Sequence, residues 1–247
     1  MKKIAIITGA SSGMGKDFTK ELDNKNLDQI WIIARRKELL EKLASELKTD
    51  CKIFDIDLSI PQNNKIIEKE LKTGKYEIKY LINNAGFGLM GEFVNLDLKK
   101  QLNMINLNIS ALVQITHFSI NYMSESGEII QVASTAGFLP IKNFAVYAAS
   151  KAFVVNFSNA LSLELKHKNI HVTAVCPGPV KTEFFDTATN GKEPKFIYKS
   201  HDVVKKALKD SKKGKLNSIY GFLMNIIMFF SHFTPRRIKA AIAAKGI

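Results

Sequence analysis

A single α/β domain built on an open, doubly wound sheet is what this sequence predicts, and three observations predict it. Apolar strand-like runs alternate with longer segments of helical periodicity along most of the chain. The runs are apolar on nearly every residue, so each needs cover on both faces, as in a parallel sheet wrapped by helices. Finally, Thr8-Gly9, Asp57, Asn83-Asn84, Ser134 and Pro177-Gly178 all lie just past the ends of such runs. In a parallel sheet those ends share one edge, where open α/β folds bind ligands.

Six runs read as strands, in order Lys3 to Thr8, Gln29 to Ile33, Lys52 to Ile56, Ile78 to Ile82, Glu128 to Ala133 and His171 to Val175. Between them ELLEKLASELK, residues 38–48, is an amphipathic helix with leucines at 39, 40, 43 and 47. Residues 151–165 carry Val154, Phe157, Leu161 and Leu165 on one stripe, which suits a helix packed on a sheet or on a second copy of itself. No repeat or linker divides residues 1–247, and that length suits one large domain.

Composition narrows the class. At 46% apolar and 24% charged residues the chain is globular rather than collagenous or low in complexity. The opening MKKIAIITGASSGMG starts like a signal peptide, but the apolar run breaks at TGASSG, so it reads as the first strand. Cys51 and Cys176 have no CxxC or histidine companions, which argues against a metal site and fits a reduced, cytoplasmic setting. The net charge of +13 suits nucleic acid, an anionic membrane face or a phosphorylated ligand. Lysines are scattered over polar faces, with no zinc-finger spacing and no strand interleaving aromatic and basic residues, so a nucleic-acid partner is not expected.

The first strand runs into TGASSGMG, residues 8–15. Gly9, Gly13 and Gly15 allow a tight turn and close backbone approach, so N–H groups at the following helix start can hold a pyrophosphate. The second strand ends in WIIARR. A site selective for NAD places an acid there for the ribose 2′-hydroxyl; this chain has Ala34, then Arg35 and Arg36, whose planar forks suit a 2′-phosphate. The expected cofactor is therefore NADP(H). Asp57 either accepts from the adenine amino group or caps the next helix.

FAVYAASK, residues 144–151, places Tyr147 and Lys151 one helical turn apart on one face. A lysine ammonium near the phenol favours phenolate, so the tyrosine pKa is expected to fall and the residue to serve as acid or base. Ser134, in QVASTAG, can hold a substrate oxygen beside it. Asn108, in NLNISA, sits amid Ile105, Leu107 and Ile109, and reads as an interior amide or a helix irregularity as readily as a functional group.

Taken in order, TGASSGMG at 8–15, NNAG at 83–86, Asn108, Ser134, Tyr147 with Lys151, and PGPVKT at 177–182 resemble the motifs of a classical short-chain dehydrogenase/reductase. The resemblance spans about residues 3–182. It implies a Rossmann fold with a mostly parallel seven-stranded sheet flanked by helices, the last strand near Leu216 to Tyr220. It implies hydride transfer between NADP(H) and a carbonyl or secondary alcohol. Tyr147 would be the general acid/base, Lys151 would bind the nicotinamide ribose and lower the Tyr147 pKa, Ser134 would orient the carbonyl, and Asn108 would hold a relay water. Gly9, Ser11, Ser12, Gly13, Met14 and Gly15 would take the pyrophosphate, and Arg35 the 2′-phosphate beside Arg36. Asp57 and Leu58 would meet the adenine, Asn84, Ala85 and Gly86 the adenosine side, and Pro177, Gly178, Val180 and Thr182 the nicotinamide end. Family members pair through the helices bearing Asn108 and Tyr147, so a homodimer or homotetramer is expected.

Specificity is expected in residues 183–200, read as a substrate lid, whose Phe184, Phe185, Phe196 and Tyr198 favour a hydrophobic ketone or aldehyde. Residues 221–247 form a hydrophobic and basic extension, too short and interrupted by Asn225, Ser231 and His232 to span a membrane. It covers the pocket, packs on another subunit, or makes peripheral membrane contact through 222–239 at the inner face of the membrane. A similar tail occurs in the branch of the family with various substrate specificities, some members of which act on acyl or steroid-like molecules. The alternative to an enzyme is an NADPH-binding regulatory or membrane-associated protein with little turnover.

Overall fold

The computed structural model describes residues 1–189, 191, 196–235 and 237–238. In chain order these form β1 (Lys2–Thr8), α1 (Gly13–Leu22), β2 (Gln29–Ala34), α2 (Lys37–Ser45), β3 (Cys51–Asp55), α3 (Pro61–Thr73), β4 (Tyr76–Asn83) and α4 (Leu98–Ile105). A π-helical turn, Asn106–Ala111, leads into α5 (Leu112–Ile120) and β5 (Met123–Val132), and a 3-10 turn, Thr135–Phe138, precedes α6 (Ala145–Glu164). Then come β6 (His171–Val175), β7 (Val180–Lys181), α7 (Phe184–Ala188), β8 (Tyr198–Lys199), α8 (Ser200–Lys212), β9 (Asn217–Ser218) and α9 (Phe222–Phe233).

The main sheet has seven strands in the order β3-β2-β1-β4-β5-β6-β9, and every pairing in it is parallel. Chain direction across the sheet reverses between β1 and β4, which opens a crevice at their carboxyl ends. The strand alternation explains the unbroken apolar runs. Ile4, Ile6, Trp31, Ile33 and Leu81 face one layer with Ile67, Leu71, Ile115 and Leu161 from α3, α5 and α6. Ala5, Ile7, Ile30, Ile32 and Ile82 face the other, with Phe18, Leu22, Leu40, Val203 and Ala207 from α1, α2 and α8. Each such buried aliphatic side chain stabilises the fold by roughly 1.5–3 kcal/mol, which fixes which strand residues point where.

Several boundaries differ from the sequence reading. The 38–48 helix stops at Ser45 because Asp23 takes the N–H groups of Lys48 and Thr49 at 3.0 and 2.8 Å and holds the chain in a turn. β5 begins at Met123, but its register against β4 shifts, and regular pairing resumes only at Glu128, where the apolar alternation begins. β5 also ends at Val132, so Ser134 stands outside the strand and caps the 3-10 turn by accepting the Ala136 N–H at 3.1 Å. The seventh strand is the two-residue β9.

The 183–200 segment is a short helix, α7, followed by β8, which pairs in parallel with β7. Residues 190 and 192–195 of it lie outside the described residues, as do Arg236, Lys239 and residues 240–247 of the extension. Among the described residues no helix is long and apolar enough to cross a membrane.

Candidate active site

Gly9 and Gly13 take φ values of +68° and +52°, a backbone region that glycine enters without strain. The loop hangs on β2 through Gly9 N–H to the Ile33 carbonyl at 2.8 Å, and a methyl at Gly15 would overlap the Gly9 carbonyl oxygen. The Asn84 side-chain amide donates to the carbonyls of Thr8 and Gly9 at 3.0 and 3.1 Å, while the Thr8 hydroxyl accepts the N–H groups of Asn84 and Ala85 at 3.0 Å. Both lips of the crevice are thereby laced together. α1 opens at Ser12 with no side-chain cap and no acid in its first turn, leaving its first N–H donors to an anion. A glycine cradle against a bare helix start fits a dinucleotide pyrophosphate.

The two arginines are not equivalent. Arg36 Nη2 donates to the hydroxyls of Ser11 and Ser12 at 3.1 and 2.9 Å and pairs with Glu183 at 2.8 Å, and that guanidinium holds the Glu183 carboxyl below its usual range. Arg35 is 74% exposed in its side chain and pairs loosely with Asp57 at 3.8 Å. The capping alternative for Asp57 is corrected: Ile60 is the N-cap of α3, and Asp57 instead closes a turn by accepting the N–H and O–H of Ser59 at 2.9 and 2.7 Å. Leu58 beside it is buried.

At the other end of the crevice Pro177, Gly178, Val180 and Thr182 follow β6. The Pro177 carbonyl accepts the Thr135 N–H at 2.9 Å, a methyl on Gly178 would meet Met224 Sδ at 3.1 Å, and Thr182 faces Gly13. Met14 packs at the edge of the second core layer.

Tyr147, in the first turn of α6, is 6% exposed, its ring stacked on Phe144 at 4.3 Å and tilted against Phe184 at 5.4 Å. The expectation that Lys151 lowers its pKa is corrected. Burial pushes the phenol up to about 12, against a downward pull from the Ser134 hydroxyl. Lys151 Nζ instead donates to the Val132 carbonyl at 2.8 Å and stands 5.8 Å from the Tyr147 ring centre. Desolvation of a phenolate thus outweighs a cation that is engaged elsewhere.

Lys151 itself is buried, and desolvation lowers its ammonium to about 8 from 10.5. Between those values the unfolded chain binds the extra proton, so stability rises with pH through that window. In denaturant titrations from pH 7 to 10.5, wild type should gain on the order of 3 kcal/mol relative to Lys151→Met above about pH 8. A difference that stays flat across the window would contradict this burial.

Asn108 lies in the π-helical turn and is 1% exposed. Its Nδ2 donates to the Phe87 carbonyl at 3.0 Å and to Ser150 Oγ at 3.1 Å, and its Oδ1 accepts the Phe87 N–H at 3.1 Å. This is the interior amide that the sequence allowed, clamping the loop after β4. A methyl on Gly86 would meet both Asn108 Oδ1 at 2.9 Å and Lys151 Nζ at 3.3 Å, so Gly86 packs closely against both side chains.

The site therefore gathers Ser134, Tyr147, Lys151 and Asn108 beside the glycine cradle. Sequence reasoning missed Glu183, which anchors Arg36 across the crevice, and the Phe144 stack on Tyr147. Phe144 was visible in FAVYAASK as an aromatic three residues before the tyrosine; Glu183 carried no local signal. Burial pushes the thiols of Cys51 and Cys176 up to about 11 and about 12, so neither offers a thiolate at neutral pH.

A family model described as short chain dehydrogenase matches residues 3–193. An uncharacterised oxidoreductase of Staphylococcus epidermidis is 30% identical over 196 residues, covering 78% of this chain and 85% of that protein. Sulfoacetaldehyde reductase 2 of Chromohalobacter salexigens is 34% identical over 197 residues, covering 77% of this chain and 78% of that one. Among solved structures, a short-chain dehydrogenase from Sphingobium yanoikuyae in complex with NADPH superposes with a TM-score of 0.82 at 26% identity, covering 94% of this chain and 93% of that one.

Proposed function

The chain belongs to the short-chain dehydrogenase family, and on that premise we propose that it reduces a hydrophobic ketone or aldehyde with NADPH, and oxidises the alcohol in reverse. The observation that carries the reading is the juxtaposition of Ser134, Tyr147 and Lys151 with a glycine cradle at the switch point of the sheet.

Gly9, Gly13, Gly15, Asn84 and the start of α1 would hold the dinucleotide, with Arg35 at its 2′-phosphate. The nicotinamide supplies a hydride when bound. The Ser134 hydroxyl holds the substrate oxygen, and the Tyr147 phenol donates its proton to that oxygen as negative charge develops there. A phenol pushed up to about 12 is protonated at neutral pH, the state needed for reduction. Lys151, whose Nζ stands 5.8 Å from the Tyr147 ring centre, would hold the nicotinamide ribose beside the phenol. Asn108 fixes the backbone of Phe87 at the pocket wall.

The preference for an apolar substrate rests on the cluster around Tyr147, where Phe87, Leu89, Ile141, Phe144 and Phe184 pack together. Phe184 opens α7 within the 183–200 segment, and we assign that segment the lid role: the phenol is so enclosed that the substrate enters by displacing Phe184. Two of the aromatics expected in the lid do other work. Tyr198 packs on Tyr220 at 5.2 Å, and Phe196 is exposed. Phe184→Ala should shift activity toward bulkier ketones, raising the kcat/KM ratio of an aryl ketone to acetone about 10-fold. An unchanged ratio would remove Phe184 from the specificity wall.

The test of the reading as a whole is NADPH consumption by the purified protein across straight-chain, cyclic and aryl carbonyls. Turnover that rises with apolar size supports it; turnover confined to small charged aldehydes, the kind of substrate the Chromohalobacter enzyme is named for, would replace the hydrophobic assignment. Exposed Leu98, Leu102, Phe153 and Leu163 on α4 and α6 support pairing of two copies through those helices. Phe222, Phe229 and Phe233, exposed along one stripe of α9, support peripheral membrane contact by the extension.

A further inference from the structure

The strap that follows the nicotinamide end of the crevice lies directly on the glycine cradle. A methyl on Gly13 would come within 2.9 Å of Thr182 Cγ2, so the strap rests on the opening turn of α1. The next residue, Glu183, reaches Arg36 Nη2 at 2.8 Å, and the same nitrogen donates to the Ser11 and Ser12 hydroxyls of the cradle. The Arg36 guanidinium, helped by the Ser12 hydroxyl, holds the Glu183 carboxyl below its usual range against burial, so it is charged at neutral pH.

An arginine–glutamate pair with side chains 46% and 55% exposed contributes little to stability by itself. Its weight comes from its place. A pyrophosphate seated at the start of α1 would stand against this carboxylate and compete with it for Arg36 and the serine hydroxyls. Glu183 is also one peptide bond from the substrate wall. It is the N-cap of α7, whose first residue, Phe184, tilts against Tyr147 at 5.4 Å. A methyl on Gly88 would come within 2.8 Å of Phe184 Cζ, so that ring is seated on the loop after β4. The far end of α7 is tied to the same loop by the Met90 N–H, which donates to the Ala188 carbonyl at 2.9 Å. Of these ties, the one to Arg36 is the one that an incoming phosphate can exchange.

We propose that Glu183 is an internal stand-in for the cofactor phosphates: its carboxylate latches residues 182–188 over the cradle through Arg36, NADPH binds by displacing it, and the displacement frees Phe184 to turn away from Tyr147. The latch rests on the dinucleotide reading of the cradle and adds a residue that sets cofactor affinity and couples it to the substrate wall. Glu183 takes no part in hydride or proton transfer; its role is positioning.

Fluorescence titration with NADPH tests this without turnover, on wild type, Glu183→Gln and Glu68→Gln. Glu68, paired with Lys72 on α3, controls for the loss of one negative charge. Glu183→Gln should bind NADPH about 10-fold more tightly than wild type, a gain that shrinks with added salt, while Glu68→Gln should bind like wild type. Hydrogen exchange of the amides of residues 184–189 should quicken in Glu183→Gln without nucleotide, and in wild type once NADPH is added. Unchanged or weaker NADPH binding by Glu183→Gln would overturn the latch, the weaker case by making the pair a clasp that closes on bound cofactor. Tightening shared by Glu68→Gln would also overturn it, as an effect of net charge alone. Slower exchange across 184–189 on NADPH binding would overturn the link to Phe184. Absence of NADPH binding by wild type and variant alike would overturn the dinucleotide reading itself, and the latch with it.

Discussion

Tyr147→Phe should lower carbonyl reduction by about 10²–10⁴-fold while NADPH binds as in wild type. The substitution removes one oxygen and keeps the ring, so the stack on Phe144 and the contact with Phe184 persist. What is lost is the proton donor and the hydroxyl beside Ser134. Because burial holds this phenol up near 12, reduction should be nearly flat with pH through neutrality. Alcohol oxidation needs the phenolate and should rise as pH rises. Steady-state profiles in both directions check this, and a reduction rate that follows a group titrating near 7 would assign the proton to another residue.

Arg35→Ala should cost about 10–100-fold in kcat/KM for NADPH and leave NADH unchanged, the effect of losing one or two charge-assisted hydrogen bonds to a phosphate. The structure separates the arginines in a way that sharpens this test. Arg36 is committed to Ser11, Ser12 and Glu183, so its removal should loosen the glycine loop and weaken both nucleotides. Arg35, 74% exposed in its side chain, has only the long 3.8 Å pair with Asp57 among the described residues to release before it meets a phosphate. Equal losses for NADPH and NADH in Arg35→Ala would show that it does not read the 2′ position.

The layered sheet was legible because strand positions 4 to 7 and 30 to 33 are apolar on both faces, and only a sheet covered twice buries both sets. The crevice was legible because Thr8-Gly9, Asn83-Asn84, Ser134 and Pro177-Gly178 follow strand ends, which one fold brings to one edge, while Tyr147 and Lys151 were legible from their one-turn spacing on a helix. What local pattern could not carry were long-range effects. Asp23 ends the leucine-rich helix early from a distant turn, and Glu183 holds Arg36 across the crevice. The sign of the Tyr147 shift also failed from sequence. Spacing places Lys151 near the phenol, but only the packed structure reveals the burial of both groups and the Val132 carbonyl that takes the ammonium. Asn108 shows the reverse case, in which the modest reading of an interior amide in an irregular helix describes its bonds.

The most direct test of the central claim is isotope transfer. NADPH carrying deuterium at both C4 positions of its nicotinamide should yield, with a hydrophobic ketone and the wild-type protein, an alcohol bearing one deuterium at the carbinol carbon, and Tyr147→Phe should yield almost none. Binding of NADPH without deuterated alcohol from any ketone or aldehyde would contradict the account and leave a nucleotide-binding protein without turnover.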